Sequence, residues 1–204
     1  MLPLNIPCSG NMINLTPGVI MSIRLRKIMI LFWALSWLCG GVTIAQSGKA
    51  SRATMKADVA SPEALARAVY ETISGPVGQE RDWTRMKNLW LPGARIILAS
   101  QKYRGKAAYE SLNLEQFILR VSDYYRTEGF YEKELAGRLN QFGEIASYWS
   151  TFEVRKGSPT GAFNGRGINS FQMVRKEGRW WITQLVFDFE SDIQPIPDRY
   201  LRLY

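Results

Sequence analysis

The residues of this 204-residue chain that could do chemistry are its carboxylates and tyrosines, because the usual nucleophile systems are missing. The chain has no histidine, which excludes Ser-His and Cys-His nucleophile pairs and most zinc sites. Its two cysteines, Cys8 and Cys39, both precede the predicted start of the mature protein, so we expect no disulfide, thiol nucleophile or iron–sulfur site there. The sequence has no Asp-x-Asp-x-Asp-Gly loop, and we expect neither a metal nor another cofactor.

Proton transfer by a carboxylate at neutral pH would require a raised pKa. Asp82 and Asp123 are poor candidates, since the first is placed to cap a helix and the second to lie on a solvated helix surface. Asp188 falls beside a candidate cavity, so it is the weak catalytic candidate, with Tyr70 as its partner. No two carboxylates are placed face to face by their spacing, and a glycosidase pair cannot be argued.

The element that positions Asp188 is a hairpin over residues 166–188, with a tight turn at Glu177-Gly178. Aromatic and β-branched residues are frequent in both of its strands, as is typical of long β-strands. A two-residue turn fixes the pairing, and the predicted cross-strand pairs are Met173–Ile182, Phe171–Gln184 and Asn169–Val186.

This pairing divides the hairpin into two faces. The first is expected to be concave and to pack on helices; it carries Asn169, Phe171, Met173, Trp180, Ile182, Gln184, Val186 and Asp188. Its polar side chains would either orient a small ligand in an apolar pocket or bond only to loop backbone. The second face, with Trp181, Leu185 and Phe187, is too apolar for full exposure. A second subunit is therefore expected to cover it, with the C-terminal tail as the rival cover.

Helical periodicity dominates the chain before residue 130 and strand periodicity follows it. The predicted helix starts are Ser61 with Pro62, Asp82 and Asn113, and the predicted upstream strands cover residues 94–98, 131–140 and 145–155. This order predicts an α+β, cone-shaped roll in which three N-terminal helices pack on a curved antiparallel sheet of four to six strands. The domain is assigned to residues 61–192, after a flexible linker over 46–60 and before an irregular tail over 193–204.

The first 45 residues have the organisation of a leader with a secretory signal. Its three parts are a basic segment with Arg24, Arg26 and Lys27, an apolar run over 28–39, and the small-residue site Thr43-Ile44-Ala45. We expect Met21 to be the true start, cleavage after Ala45, and a periplasmic or secreted product that meets the membrane only during export. The alternative is an uncleaved N-terminal anchor. The 23 basic and 18 acidic residues that remain are scattered, so nucleic-acid binding is not expected.

Two motifs resemble the nuclear transport factor 2-like, or SnoaL-like, superfamily, in a branch of exported and mostly uncharacterised proteins. The first is Asp82-Trp83 followed by Trp90-Leu91-Pro92-Gly93-Ala94-Arg95-Ile96, and the second is Arg166-Gly167-Ile168-Asn169-Ser170-Phe171-Gln172 with Arg179-Trp180-Trp181-Ile182. The resemblance covers residues 64–190 and implies a cone-shaped α+β fold. It implies no single activity, since this fold hosts isomerases, dehydratases, cyclases, transport adaptors and binding proteins.

The resemblance allows one enzyme mechanism to be checked residue by residue. In isomerase-type members, a tyrosine on the first helix stabilises an oxyanion and an aspartate on the first strand abstracts a proton. Tyr70 matches the tyrosine, but Leu98 occupies the position of the base, and a leucine cannot accept a proton. Dehydratase-like and many cyclase-like members depend on a histidine, which this chain lacks.

We therefore predict an exported protein, a homodimer, that binds a small apolar or amphipathic ligand and has no definable catalytic constellation. The predicted pocket residues are Tyr70, Trp90, Asn169, Phe171, Gln184 and Asp188. One alternative is a cofactor-independent isomerase or lyase that uses Asp188 with Tyr70. The other is a protein-interaction module of the cell envelope that docks through the Trp181 face.

Overall fold

The order of helices and strands is that of an α+β domain in the computed structural model, which describes residues 50–99 and 109–202. The described helices are α1 (Arg52–Asp58), α2 (Pro62–Ile73), α3 (Trp83–Lys87) and α4 (Leu114–Glu128). The described strands are β1 (Trp90–Leu98), β2 (Glu110–Leu112), β3 (Phe130–Phe142), β4 (Ile145–Lys156), β5 (Phe163–Lys176) and β6 (Arg179–Phe189). None of these helices has the length and apolarity of a membrane span. The predicted leader, with its signal and cleavage site, lies outside the described residues.

The six described strands form one curved sheet in the order β2-β1-β6-β5-β4-β3. The predicted α+β class and a strand number within four to six are confirmed. The prediction of a wholly antiparallel sheet is wrong at one place, because β1 and β6 run parallel. Parallel neighbours require a long connection, and the chain between β1 and β6 supplies one that contains α4 and four strands.

Side-chain caps set the helix starts that the sequence predicts. Ser61 Oγ accepts from Ala64 N at 3.1 Å, and Asp82 Oδ1 accepts from Arg85 N at 2.8 Å. Asn113 forms a capping box, in which its side chain accepts from the backbone N–H three residues later and that residue's side chain bonds back. These three starts are confirmed. The second of these helices, α3, ends at Lys87.

Part of the predicted linker is a helix. Ser51 caps α1, and Asp58 at its end is buried. Arg85 donates to both Asp58 carboxyl oxygens at 2.8 Å and to Glu71 Oε2 at 2.5 Å, which joins α1, α2 and α3. The described residues thus contain one helix more than the three predicted. Small and polar composition did not reveal this helix, because a tertiary ion pair holds it.

A bulge changes the predicted faces of the hairpin. Glu177 and Gly178 have φ of 55° and 77°, as a type I′ turn requires, and Met173 pairs with Ile182 as predicted. The register then shifts by one residue at Thr183. The predicted pairs Phe171–Gln184 and Asn169–Val186 are therefore wrong; the observed pairs are Phe171–Leu185 and Asn169–Phe187.

A shift of one residue exchanges the faces of a strand. Leu185 is buried, and Phe187 packs against the core on the face of Phe171, so neither belongs to the outer face that we expected a second subunit to cover. Gln184 pairs with the exposed Gln172 and therefore lies on the outer face. Asp188 is four residues further along β6, and since alternate residues of a strand share a face, it lies on the outer face as well. Of the predicted dimer face, Trp181 alone stays outside.

The C-terminal tail covers part of the outer face. The Tyr200 ring stacks on Trp149 of β4 with centroids 5.4 Å apart, and Thr151 Oγ1 donates to Tyr200 O at 2.5 Å. Ile196 is buried, and its N–H donates to Glu190 Oε1 at 3.0 Å. The tail thus covers the outer face at β4, away from the Trp181 face for which the tail was the rival cover, and its regular structure is a 3-10 turn over Asp198–Tyr200.

Candidate functional site

A pocket of about 400 Å³ opens between α2, the first half of β3 and the second half of β4. Residues of three kinds line it: aromatic or apolar, small polar, and charged. They are Tyr70, Tyr131, Pro159, Ser74, Glu63, Glu71, Glu132, Glu134, Glu153, Arg67, Lys133 and Arg155. Tyr70 reaches the pocket from the buried side of α2. Glu132 and Glu134 occupy alternate positions of β3, opposite the buried Val154 and Phe152 of β4. Glu132 is half-buried on this face, whereas Glu134 is exposed.

The Tyr70 hydroxyl is part of a directed chain of hydrogen bonds. Asn169 Nδ2 donates to Tyr70 Oη at 3.0 Å, Tyr70 Oη lies 2.6 Å from Ser150 Oγ, and Ser150 Oγ donates to Glu134 Oε2. A serine has one hydroxyl proton, and here it goes to the carboxylate. The Tyr70 proton must therefore go to Ser150. Burial, together with the nearby Glu132, raises the pKa of Tyr70 well above its usual value, so Tyr70 keeps that proton.

Glu132 is the most perturbed carboxyl group of the pocket. Its Oε1 accepts from Asn169 Nδ2 at 3.0 Å, and no hydrogen-bond partner for its Oε2 is found among the described residues. The residue keeps some solvent exposure, but its carboxyl lies deep enough for burial to raise its pKa to about 8, against the lowering effect of the Asn169 bond. At neutral pH Glu132 is therefore mainly an uncharged acid with one oxygen available to the pocket.

Glu134 has a different environment from Glu132. Tyr148 Oη donates to Glu134 Oε1 at 2.9 Å while Ser150 serves the other oxygen, so two hydroxyl donors stabilise the carboxylate. Gly137 makes room for this arrangement, because a Cβ at that position would overlap Tyr148 Oη. Burial, followed by the charge of Glu134, raises the pKa of Tyr148.

The cations at the mouth of the pocket are held by one carboxylate. Arg155 Nε donates to Glu153 Oε1 at 2.6 Å, and Lys133 Nζ lies 3.5 Å from the same oxygen. The hydrogen bond from Arg155 lowers the pKa of Glu153 and keeps it ionised, against the raising effect of burial. The basic groups nearest to β3 and β4 thus neutralise Glu153 rather than Glu132 or Glu134.

The structure brings two of the six predicted pocket residues together. Tyr70 lines the pocket, and Asn169 lies directly behind it and bonds both Tyr70 and Glu132. Trp90 and Phe171 are buried in the hydrophobic core.

The other two predicted pocket residues, Gln184 and Asp188, are separated from Tyr70 by the sheet. Asp188 Oδ1 accepts from Phe189 N at 2.8 Å, and Asp188 Oδ2 accepts from Gln194 Nε2 at 3.2 Å. Asp188 thus fixes the start of the tail on the outer face. The predicted pairing of Asp188 with Tyr70 is not formed, because the bulge turned Asp188 away.

Glu132, Glu134 and Ser150 are the site residues that sequence reasoning missed. Strand alternation carried a usable signal: Glu132 and Glu134 share one face of β3, and Ser150 shares a face of β4 with Tyr148 and Phe152. Two glutamates in a strand are ordinarily solvated, and only the pairing of β3 with β4 shows that they lie opposite the buried Val154 and Phe152, where Glu132 is half-buried and Glu134 is exposed.

Comparison with known proteins supplies a fold and no activity. No protein-family model matches the sequence, and no curated relative matches it. Among solved structures, a nuclear transport factor 2-like protein of unknown function from Shewanella baltica is 14% identical, with a TM-score of 0.42 over 63% of this chain and 90% of that one. A second such protein from Methylobacillus flagellatus is 13% identical, with a TM-score of 0.39 over 70% and 97%. A candidate dehydratase of that family from Streptomyces avermitilis is 14% identical, with a TM-score of 0.49 over 67% and 98%.

At these identities and TM-scores the similarity to nuclear transport factor 2-like proteins concerns the fold alone, so no residue role is transferred from them.

Proposed function

We propose that this chain binds a small amphipathic ligand in the pocket between α2, β3 and β4, with Glu132 at the polar end of the site. One observation carries the proposal: the half-buried Glu132 lines the pocket with one carboxyl oxygen bonded to Asn169, and no hydrogen-bond partner for the other oxygen is found among the described residues. Burying a carboxyl group without a cation costs free energy, and strongly perturbed groups in clefts are enriched at functional sites.

The dimensions and walls of the pocket support the same proposal. A volume of about 400 Å³ falls within the range of roughly 300–1,000 Å³ that is typical of small-ligand sites. The rings of Tyr70 and Tyr131 and the Pro159 side chain offer apolar surface beside the polar end. A ligand with an apolar body and one polar group matches this combination.

The proposal is tested by native mass spectrometry of the chain purified from the cells that make it, followed by binding measurements with any co-purified molecule. Glu132→Gln should weaken binding by roughly ten- to a hundredfold, since a hydrogen bond involving a carboxyl group is lost or changed. Glu144→Gln, in the exposed β3–β4 turn, is the matched control and should bind like the wild type. Hydrogen exchange should show protection of β3 by the ligand. A ligand that binds Glu132→Gln with unchanged affinity, or protects the outer sheet face instead, would refute the proposal.

A second candidate function is cofactor-independent isomerase or lyase activity. In this candidate, Glu132 takes the acid–base role that the sequence assigned to Asp188. The pKa of Glu132, about 8, is close to neutral pH, which favours that role. The donor for a developing oxyanion is the weak point, because the Tyr70 proton is directed to Ser150. Turnover of the bound molecule that is abolished in Glu132→Gln, with the fold intact, would favour this candidate. Recovery of the bound molecule unchanged would exclude it.

Export is part of the proposal and rests on the sequence of the leader. Its support is the basic segment, apolar run and small-residue site within residues 21–45. N-terminal sequencing of the exported chain should begin at Gln46. An unprocessed chain in the membrane fraction would support the anchor alternative instead.

Self-association is a separate proposal. Its support is Trp181, which is the residue of the predicted dimer face that remains on the outer side of the sheet. The Arg179 guanidinium lies over this residue, 3.7 Å from the centre of the Trp181 ring. Sedimentation across a concentration series should show a dimer that Trp181→Ser weakens. A monomer at all concentrations would exclude it.

A further inference from the structure

We propose that the pocket selects ligands carrying a protonated amine, with the ammonium group held at the end where Glu132 and Glu134 lie. This inference rests on the proposed function, because it names the ligand class of the same site. It follows from three features of the described residues: the charge balance of the pocket, the groups that face Glu132, and the direction of the hydrogen bonds.

The charge balance of the pocket leaves carboxyl groups without cations. Five acidic side chains line it, and two of them already have basic partners: Glu71 bonds Arg85, and Glu153 bonds Arg155 and Lys133. The other three, Glu63, Glu132 and Glu134, have no ion pair within the described residues, and among these three only Glu132 is shielded from solvent in part, since Glu63 and Glu134 are exposed. Arg67 is the remaining basic side chain of the lining, and it is exposed on α2. A ligand that brings a positive charge therefore supplies what the inner end of the pocket lacks.

The groups that face Glu132 are acidic or neutral on every packed element. Tyr70 of α2 and Tyr125 of α4 are close enough for the Glu132 charge to raise their pKa values, after burial as the main cause. Asn169 of β5 donates a hydrogen bond, and Glu134 lies two residues along β3. The cations of the neighbouring strands, Lys133 and Arg155, are bound to Glu153. An ammonium group next to Glu132 Oε2 would favour the carboxylate and expel its proton.

The hydrogen-bond directions distinguish an amine from other polar groups. The Tyr70 proton goes to Ser150, and the Ser150 and Tyr148 protons go to Glu134, so these hydroxyls have no proton left for a ligand. A carbonyl or alcohol oxygen would find one donor at most, the protonated Glu132. An anionic ligand group would be repelled by the Glu134 carboxylate. An ammonium group has three donors and meets carboxyl acceptors, beside the tyrosine rings that also attract cations.

The test compares three probes with similar skeletons: phenethylamine, phenethyl alcohol and hydrocinnamate. Each is titrated into the full chain by calorimetry, with hydrogen exchange to locate the protected segment. Phenethylamine should bind at least about tenfold more tightly than the alcohol, as one net ionic hydrogen bond requires. Its affinity should rise by up to roughly tenfold per pH unit through the neutral range, because binding displaces the Glu132 proton. The alcohol should show no such dependence.

Glu132→Gln should remove both the preference for the amine and its pH dependence, and Glu134→Gln should reduce the preference. Glu144→Gln should change neither. If the alcohol or hydrocinnamate protects β3 while the amine binds no better, the amine inference fails and the proposed pocket stands. If no probe protects β3, the inference and the proposed function both fail.

Discussion

Burial of Glu132 predicts that the protein loses stability as the pH rises through the neutral range. The ordinary pKa of a glutamate is 4.5, which we take for the unfolded chain, and the folded value is about 8. Between these two values the folded state holds a proton that the unfolded state has released. Stability is therefore highest below the unfolded pKa, falls as the pH rises, and stops falling above the folded pKa.

The size of the loss follows from the two pKa values. Each pKa unit corresponds to about 1.4 kcal/mol of differential interaction. Between about pH 5.5 and about pH 8.5, linkage gives a decrease of roughly 3 kcal/mol in the free energy of unfolding from this carboxyl alone. Glu132→Gln keeps an oxygen that can accept from Asn169 Nδ2 and cannot ionise. Relative to this variant, the wild-type chain should weaken by the same amount across the range.

Urea unfolding followed by tryptophan fluorescence measures the effect at a series of pH values. The chain has no histidine, so no histidine side chain contributes to the change in stability over this pH range. Glu144→Gln, which removes an exposed carboxylate in the β3–β4 turn, should reproduce the wild-type profile. Parallel profiles for the wild type and Glu132→Gln would show that Glu132 titrates like a solvated glutamate, and the reasoning about the pocket would be wrong.

Three further predictions concern the packing around the site and the tail. Gly137→Ala should destabilise the fold by roughly 1–3 kcal/mol, because its Cβ overlaps Tyr148 Oη. Adding Tyr148→Phe should restore only part of the melting temperature, because the ring carbon Cζ would still lie 2.6 Å from that Cβ. No restoration at all would show that the Oη overlap is not the source of the strain. Arg81→Met should lower the free energy of unfolding by about 3 kcal/mol in denaturant titrations, since the buried guanidinium donates to four carbonyl oxygens. A change below about 1 kcal/mol would show that water molecules bond these carbonyl oxygens in the variant. Tyr200→Ala should uncover Trp149, seen as red-shifted emission and increased binding of a hydrophobic dye, and unchanged signals would mean that the tail leaves β4 uncovered in solution.

Local chemistry explains the parts of the fold that were predictable. A helix start needs a side-chain oxygen placed three residues before a free N–H, and Ser61, Asp82 and Asn113 meet that condition by type and position. The Glu177-Gly178 turn needs two consecutive residues at positive φ, and glycine at the second position meets it most easily. Such signals act within a few residues, so the sequence carries them in readable form.

The errors share a different origin. The bulge at Thr183 exchanged the faces of β6 beyond it, so Leu185 and Phe187 entered the core and Asp188 left the candidate pocket. Threonine is common in regular strands, so Thr183 does not mark a bulge in the sequence. Its hydroxyl donates to Gln172 O at 3.0 Å, a contact that exists only once β5 and β6 have paired. The same holds for α1, which Asp58 and Arg85 fix through an ion pair across 27 positions.

The sequence by itself determined the α+β class, the helix starts, the hairpin turn, the absence of histidine chemistry and the place of Tyr70 on its helix. The tertiary structure alone decided which carboxyl group lines the pocket with a raised pKa, Glu132 rather than Asp188. The physical reason is that a pKa near 8 arises from burial and from the neighbours that surround a group, and β3, β4, β5 and α2 supply those neighbours from distant parts of the chain.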